Sequence, residues 1–446
     1  MHIGIVTETY PPEVNGVALT LGRLVRGLRG RGHTLSIAHP RRWPFDHLAD
    51  GRADDTTLVA GVPAPGYPGV WIGLPAGTRL RARWTSRRPD AVYVATPGPL
   101  GWSAVLAARR LGVPVFSGFH TNFHCYARYY HARWLRHVLT RGLRRFHNAT
   151  TATLVPTPDL RDELRAAGFR NLCVLGRGVD TELFAPARRS EALRASWGAA
   201  ADDLVALYVG RVAAEKNVAL ALAASRVLRE AGTIRRFVVV GDGPQRAVLQ
   251  GMYPDVLFSG VQSGPALGAH YASADLFLFP SETETFGNVV LEAMASGLAV
   301  VAFDAGAARI HIRHGETGLL APLGDAAGFV TEAAALAHAS EAARAIGRRA
   351  RAVAATEEWS EVVRRFEWLL AGGADAPDDA HRQEGLNGSG HVRAVDPVAA
   401  PHRRTGRGRD HPAPPGDGVL DAPGGGGHAG PGAAAVALGT HTQLLR

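Results

Sequence analysis

The stretch from Leu276 to Gly297 constrains this chain most. Leu276-Phe277-Leu278-Phe279 is an apolar run of strand length, P-S-E-T-E-T-F-G is turn-like, and N-V-V-L-E-A-M-A-S places apolar residues at 289, 290, 291, 293 and 294 ahead of Gly297. The first run reads as a buried strand and the last as a helix with a buried face, closed by glycine. A strand, a tight turn and a helix in that order form the unit of a doubly wound α/β sheet. Two carboxylates bracket the turn, Glu284 at the helix mouth and Glu292 two turns inside. At the helical rise per residue they lie about 12 Å apart, close to the span of a nucleotide-linked sugar from hexose to ribose. The N–H groups of Phe286, Gly287 and Asn288 point out of the helix end, where they attract phosphate. Spacing alone also allows a plainer reading, a solvated helix face and a first-turn acid that suits the helix dipole.

The same rhythm runs through the rest. Residues 3–6 form a strand, the turn residues Pro11, Pro12, Asn15 and Gly16 follow, and Val17 to Arg31 is an amphipathic helix leading to a strand at 34–38. The loop lets a pyrophosphate approach Gly16 closely, although G-x-G-x-x-G is missing and the loop also reads as an ordinary turn. Strands at 91–95 and 114–118 come next, and the second delivers F-H-T-N-F-H, so His120 lies at the carboxyl end of a parallel strand. Strands at 153–156 and 172–175 complete the first half. In the second half, strands at 205–209, 237–240, 256–259 and 300–303 repeat the pattern. Arg211 and Lys216 emerge where the first of these passes into a long helix, so two cations can converge on a diphosphate. Lys216 is the only lysine among 49 Lys and Arg residues, which points to a site wanting a compact ammonium.

Taken together, E-T-F-G-N-V-V-L-E-A-M-A-S-G, H-T-N-F, the N-G-V loop and G-R-x-x-x-x-K resemble the retaining nucleotide-sugar glycosyltransferases with the GT-B fold and the E-x7-E signature. The resemblance covers roughly residues 1–370. It implies two Rossmann-like doubly wound domains facing across a cleft, residues 1–184 on the acceptor side and 185–355 on the donor side. Residues 356–371 then form a helix crossing back to the first domain. It further implies that Glu292 binds the ribose hydroxyls, that Arg211 and Lys216 neutralise the diphosphate with Gly16, and that Glu284, Phe286, Gly287 and Asn288 hold the hexose. Val261 joins the donor contacts, and His120 faces the reacting sugar. The nearest members in flavour are GDP-mannose-dependent α-mannosyltransferases acting on lipids. Glycolipid synthases using UDP-sugars are nearly as similar, and an epimerase or a non-catalytic binder stays open on the same fold. Ile310 stands where the family places an acid, which puts in doubt a role for its neighbour Arg309.

Composition bounds the setting. Two cysteines exclude a disulfide framework, and residues 1–372 lack D-x-D, so neither metal nor cofactor is expected. No signal peptide or spanning run is present, which predicts a cytoplasmic protein. Of the net charge of +9, the segment between Thr56 and Pro158 holds thirteen arginines against the single acid Asp90. Residues 77–88 and 126–148 interleave arginine with aromatic and apolar residues. They read either as interfacial helices on an anionic membrane or as core helices with solvated arginines. No nucleic-acid-binding motif accompanies them. Residues 372–446 lack Phe, Tyr, Trp, Ile and Lys and read as a disordered Gly/Pro/Arg-rich tail.

Overall fold

The computed structural model describes residues 1–13, 15–41, 55–64, 71–120 and 133–373; the tail expected from 372 onward and Tyr126, Tyr129 and Tyr130 fall almost wholly or wholly outside them. In chain order the first half holds β1 (His2–Val6), β2 (Thr34–Pro40), β3 (Asp55–Val59), β4 (Gly61–Pro63), β5 (Trp71–Gly73), β6 (Ala91–Val94), β7 (Val115–Gly118), β8 (Ala152–Val155) and β9 (Leu172–Val174). The second half holds β10 (Val205–Val209), β11 (Arg236–Val240), β12 (Leu257–Gly260), β13 (Leu276–Phe279), β14 (Ala299–Phe303) and β15 (Leu319–Ala321).

These strands make two parallel sheets, ordered β3-β2-β1-β6-β7-β8-β9 and β12-β11-β10-β13-β14-β15, with β4 and β5 as a separate antiparallel pair. Parallel strands covered by helices on both faces are buried throughout, and Leu276 to Phe279 and Val205 to Val209 are at most 7% exposed. Such strands read as continuous apolar runs, which is why the sequence shows them. The short strands β3 to β5 lie in a stretch with no such run and are not visible there.

The chain changes lobes between Leu175, in the first core, and Val179, in the second. It returns through the helix Trp359–Leu370, whose Val362, Val363, Phe366 and Leu369 join the first core. That helix lies against the helix Gly16–Gly30, and Gly27 makes the approach possible. A Cβ there would stand 3.0 Å from Val363 Cγ1, 3.2 Å from its Cβ and closer still to Cγ2. The junction is fastened by an ion pair from Arg31 to Glu367, a 2.9 Å bond from His33 to Glu367, and a 3.0 Å bond from Arg365 to the Val174 carbonyl.

In the helix Gly77–Ser86, Leu80 and Trp84 are 1% and 3% exposed. The apolar face of that segment is therefore core, and Arg79 and Arg81 are among the residues that face outward. The helix Arg133–His147 divides differently: Phe146 is buried, whereas Val138 and Leu139 are 60% and 38% exposed. No helix among the described residues is long and apolar enough to cross a membrane.

Gly27→Ala should gain about 1 kcal/mol of helix propensity and lose about 1–3 kcal/mol to overpacking, so the protein melts at lower temperature. In a Val363→Ala background the same change should become neutral or stabilising by thermal denaturation. A wild-type melting point for Gly27→Ala alone would refute the close approach.

Candidate active site

Each sheet has one place where the chain, having built strands to one side, returns to build on the other. In the second sheet this is between β10 and β13. Loops diverge there at the strands' carboxyl ends and leave a crevice. The loop after β10 carries Arg211 and Lys216, and the loop after β13 carries Ser281 and Glu284. Lys216 Nζ makes an ion pair with Glu284 Oε1, both side chains being about one-sixth exposed, and Ser281 Oγ donates to the same oxygen at 2.7 Å. Arg211 reaches Glu215 at 3.2 Å and keeps 46% of its side chain exposed. Thr283 Oγ1 donates to the Glu215 carbonyl at 3.2 Å, so the two loops are stitched to each other.

The turn delivers the helix Asn288–Ala295 through Gly287 at φ +95°, a backbone conformation that favours glycine. Phe286 is buried and its carbonyl accepts from Ala307 N at 2.6 Å, which fixes the direction of the helix end. The first N–H groups of such a helix have no partner within it. Two turns further, Glu292 accepts a 2.9 Å bond from the hydroxyl of the fully buried Tyr271. Burial pushes the Glu292 carboxyl up to about 7, and the Tyr271 bond holds it down in part. The Tyr271 hydroxyl is itself pushed well up, by burial first and by Glu292 next.

Across the cleft, His120 follows β7. Arg177 Nη2 donates to His120 Nδ1 at 3.0 Å, so the ring proton sits on Nε2 and is donated to the Tyr93 hydroxyl at 2.7 Å. Burial, and then the Arg177 charge, hold His120 well below the usual histidine range, and it is neutral. Arg177 is buried and also donates to the Leu175 and Gly176 carbonyls at 2.9 and 3.0 Å. Gly118 leaves room for this stack, since a Cβ there would collide with both the Tyr93 hydroxyl and His120 Nε2. The two lobes meet here: Thr285 Oγ1 donates to the His120 carbonyl at 3.1 Å, and Arg309 reaches Asp159 at 2.7 Å.

The structure thus gathers Lys216, Glu284, Arg211 and His120 around one edge, with Phe286, Gly287, Asn288 and Glu292 on the adjoining helix. Both ring nitrogens of His120 are engaged by protein groups, so a sugar meets that ring only by exchanging one of them. Gly16 opens the helix Gly16–Gly30, exposed and with nothing within 4 Å of a Cβ built on it, while Asn15 caps the helix by accepting from Ala18 N at 2.9 Å. Val261 is 62% exposed just beyond β12. Among the described residues, no hydrogen bond or ion pair ties Gly16 or Val261 to the others. Sequence reasoning missed Tyr271, Arg177, Tyr93 and Ser281. Arg309 binds Asp304 as well as Asp159, and Ile310 beside it is 39% exposed.

Two nucleotide-type lobes with their strand ends facing across a cleft define the GT-B class of glycosyltransferases. The description "Glycosyltransferase Family 4" matches residues 14–183, and "Glycosyl transferases group 1" matches residues 203–339. A GDP-mannose-dependent alpha-mannosyltransferase of Mycobacterium tuberculosis is 37% identical over 330 residues, 73% of this chain and 85% of that relative. The sulfoquinovosyl transferase SQD2 of Arabidopsis thaliana is 35% identical over 319 residues, 69% of this chain and 60% of that one. The structure of Anabaena HepE in complex with UDP superposes with a TM-score of 0.68 over 83% of this chain and all of that one, at 19% identity, a likeness of fold. The chain belongs to the family 4, group 1 glycosyltransferases.

A carboxyl whose pKa is raised on folding adds stability that is fully present below the unfolded value of 4.5 and is lost as pH rises through about 7. Glu292→Gln should therefore flatten the decline in melting temperature across that window. Tyr271→Phe should push the Glu292 midpoint higher. An unchanged profile in both variants would contradict the buried-carboxyl description.

Proposed function

We propose that this protein transfers mannose from GDP-mannose, with retention of anomeric configuration, to a lipid or glycan acceptor. The observation that carries the reading is the Lys216–Glu284 pair at the second lobe's crevice, opposite His120 of the first lobe. The relatives' names support the donor: the mycobacterial protein is a GDP-mannose-dependent enzyme, and SQD2 is the sulfoquinovosyl counterpart. In this reading the diphosphate meets Arg211, Lys216 and the backbone at Gly16, and the helix end at Phe286, Gly287 and Asn288 helps to hold the hexose. Glu292 takes the ribose hydroxyls, Val261 lies against the base, Glu284 holds the hexose, and His120 closes the site.

Transfer breaks the bond between the anomeric carbon and the diphosphate and makes one to the acceptor oxygen, whose proton leaves with the phosphate. Negative charge grows on the departing diphosphate, and fixed cations and N–H dipoles aimed at it stabilise the transition state more than the ground state. No metal or cofactor is called on. Before the donor arrives, Glu284 occupies Lys216, so the ammonium waits in place rather than being recruited from solvent.

The test is a donor screen on the purified full chain, reading melting temperature and nucleotide release with GDP-mannose, UDP-glucose and UDP-sulfoquinovose. GDP-mannose should raise the melting temperature most. Lys216→Ala should lower kcat by about 10²–10³, and Lys216→Arg should restore little of it, because a planar fork does not replace a point charge. A stronger response to a UDP-sugar would reassign the donor, and no turnover with any donor would leave a binding protein.

The reading also places the protein on the inner, anionic face of a membrane. The exposed Arg79, Arg81, Arg87 and Arg88 supply charge, and Val138 and Leu139, with exposed Arg141 and Arg145 nearby, supply an apolar contact. Liposomes rich in phosphatidylglycerol should carry the protein on flotation at low salt and release it at about 0.5 M salt, where screening is strong. Absence of the protein from floated vesicles at low salt would remove this part.

A further inference from the structure

The first sheet has its own reversal point, between β1 and β6, and the loops following those strands meet as their counterparts do in the second lobe. Glu8 N donates to Thr96 Oγ1 at 2.8 Å, joining the loop after β1 to the loop after β6. The Glu8 carboxylate lies across Gly98, where any Cβ would collide with both of its oxygens. Beside it the helix Pro99–Arg110 begins, and the Leu100 N–H of its first turn donates to the carboxylate. Glu8 Oε1 is shut off from solvent and has no hydrogen-bond partner, and among the described residues no cation pairs with the group. Glu8 as a whole keeps partial exposure.

A buried carboxylate oxygen without a partner is costly to the fold, and such groups call for an explanation. Burial pushes this carboxyl up to about 7, as it does Glu292 in the other lobe. The carboxyl turns easily about its last torsion and can present either oxygen. The strand β7, whose end delivers His120 to Thr285 of the second lobe, pairs with β6 in the same parallel sheet, so Glu8 and His120 leave the sheet at the same edge.

Resting on the transferase reading above, we infer that Glu8 holds a hydroxyl of the acceptor, and that the acceptor group seated there is a neutral sugar or polyol. A phosphate at that position would meet a carboxyl with which, among the described residues, no cation pairs. A hydroxyl donates to the ionised form or accepts from the neutral one, so it satisfies the orphaned oxygen in both states. Glu8 binds and orients in this role and takes no proton.

The test uses the full chain with GDP-mannose, octyl α-mannoside, octyl β-glucoside and dioleoylglycerol in mixed micelles as acceptors, and GDP as a donor-site probe. Glu8→Gln should raise KM for the acceptor about tenfold or more, the order set by one lost hydrogen bond to a charged group. It should leave the GDP-induced rise in melting temperature intact and should not lower the melting temperature of the free protein. Unchanged acceptor KM overturns the inference. So does a variant that melts early or no longer responds to GDP, since Glu8 would then be a structural support. Wild-type protein that responds to GDP but glycosylates none of the three acceptors overturns the neutral-polyol assignment. Wild-type protein that responds to no nucleotide strikes the transferase reading instead.

Discussion

The ion pair between Lys216 and Glu284 is the interaction on which the donor side depends. Its partners come from loops 68 positions apart in sequence, and both are largely withdrawn from water. Removing either would leave a poorly solvated charge, at a cost of several kcal/mol for a buried pair. Ser281 adds a neutral bond to the same carboxylate oxygen, so the pair persists in one geometry. Arg211 contrasts with it: nearly half exposed, it pairs with Glu215 through one guanidinium nitrogen at 3.2 Å. One cation is held in a largely buried pair and one stands nearly half exposed, a division that in the proposed reading suits a site that first captures a diphosphate and then holds it.

The sequence made much of this legible, for identifiable reasons. Parallel strands buried on both faces appear as apolar runs, so the units around Leu276 and Val205 were plain. Glycine at a left-handed turn marked Gly287, and a solitary lysine marked Lys216. Tyr271 could not be found that way, because in G-P-A-L-G-A-H-Y-A it looks like any core aromatic and its partner lies 21 positions on. Arg177 lies in the glycine-flanked stretch G-R-G, which carries no pattern that marks it, although it sets the tautomer of His120. The charged stretch 77–88 was ambiguous for a similar reason. An amphipathic pattern states that a helix has an apolar face, not which surface covers it, and here Leu80 and Trp84 are covered by the protein's own core.

Glu8 and Glu292 show that the two lobes repeat one electrostatic motif as well as one topology. Each is a carboxyl drawn up to about 7 by burial near the carboxyl edge of its sheet, Glu292 with a tyrosine donor and Glu8 with a free oxygen. A carboxyl poised near neutrality can serve as donor or acceptor to a hydroxyl without moving. In the proposed reading ribose and acceptor are both polyols, and the same local solution would fit both sides of the cleft.

The lobes are joined so that motion between them has a narrow repertoire. The two chain crossings lie side by side: Val179 N donates to the Glu357 carbonyl at 2.8 Å, and a Cβ on Gly178 would come within 2.6 Å of Trp359 N. Arg351 pins the outgoing strand of this joint through the Thr181 and Phe184 carbonyls, while Arg23 holds Asp180 at 2.6 Å from the first lobe. Among the described residues, the hydrogen bond and ion pair that link the lobes away from this joint are the Thr285–His120 bond and the exposed Arg309–Asp159 pair. Exposed pairs of that kind contribute about 0–1 kcal/mol, and one hydrogen bond adds about 1 kcal/mol. Those two contacts alone therefore oppose opening about the paired crossings by about 1–2 kcal/mol. Such opening breaks the bond between Thr285, the residue next to Glu284, and the His120 carbonyl, so it separates groups that the proposed transfer needs together.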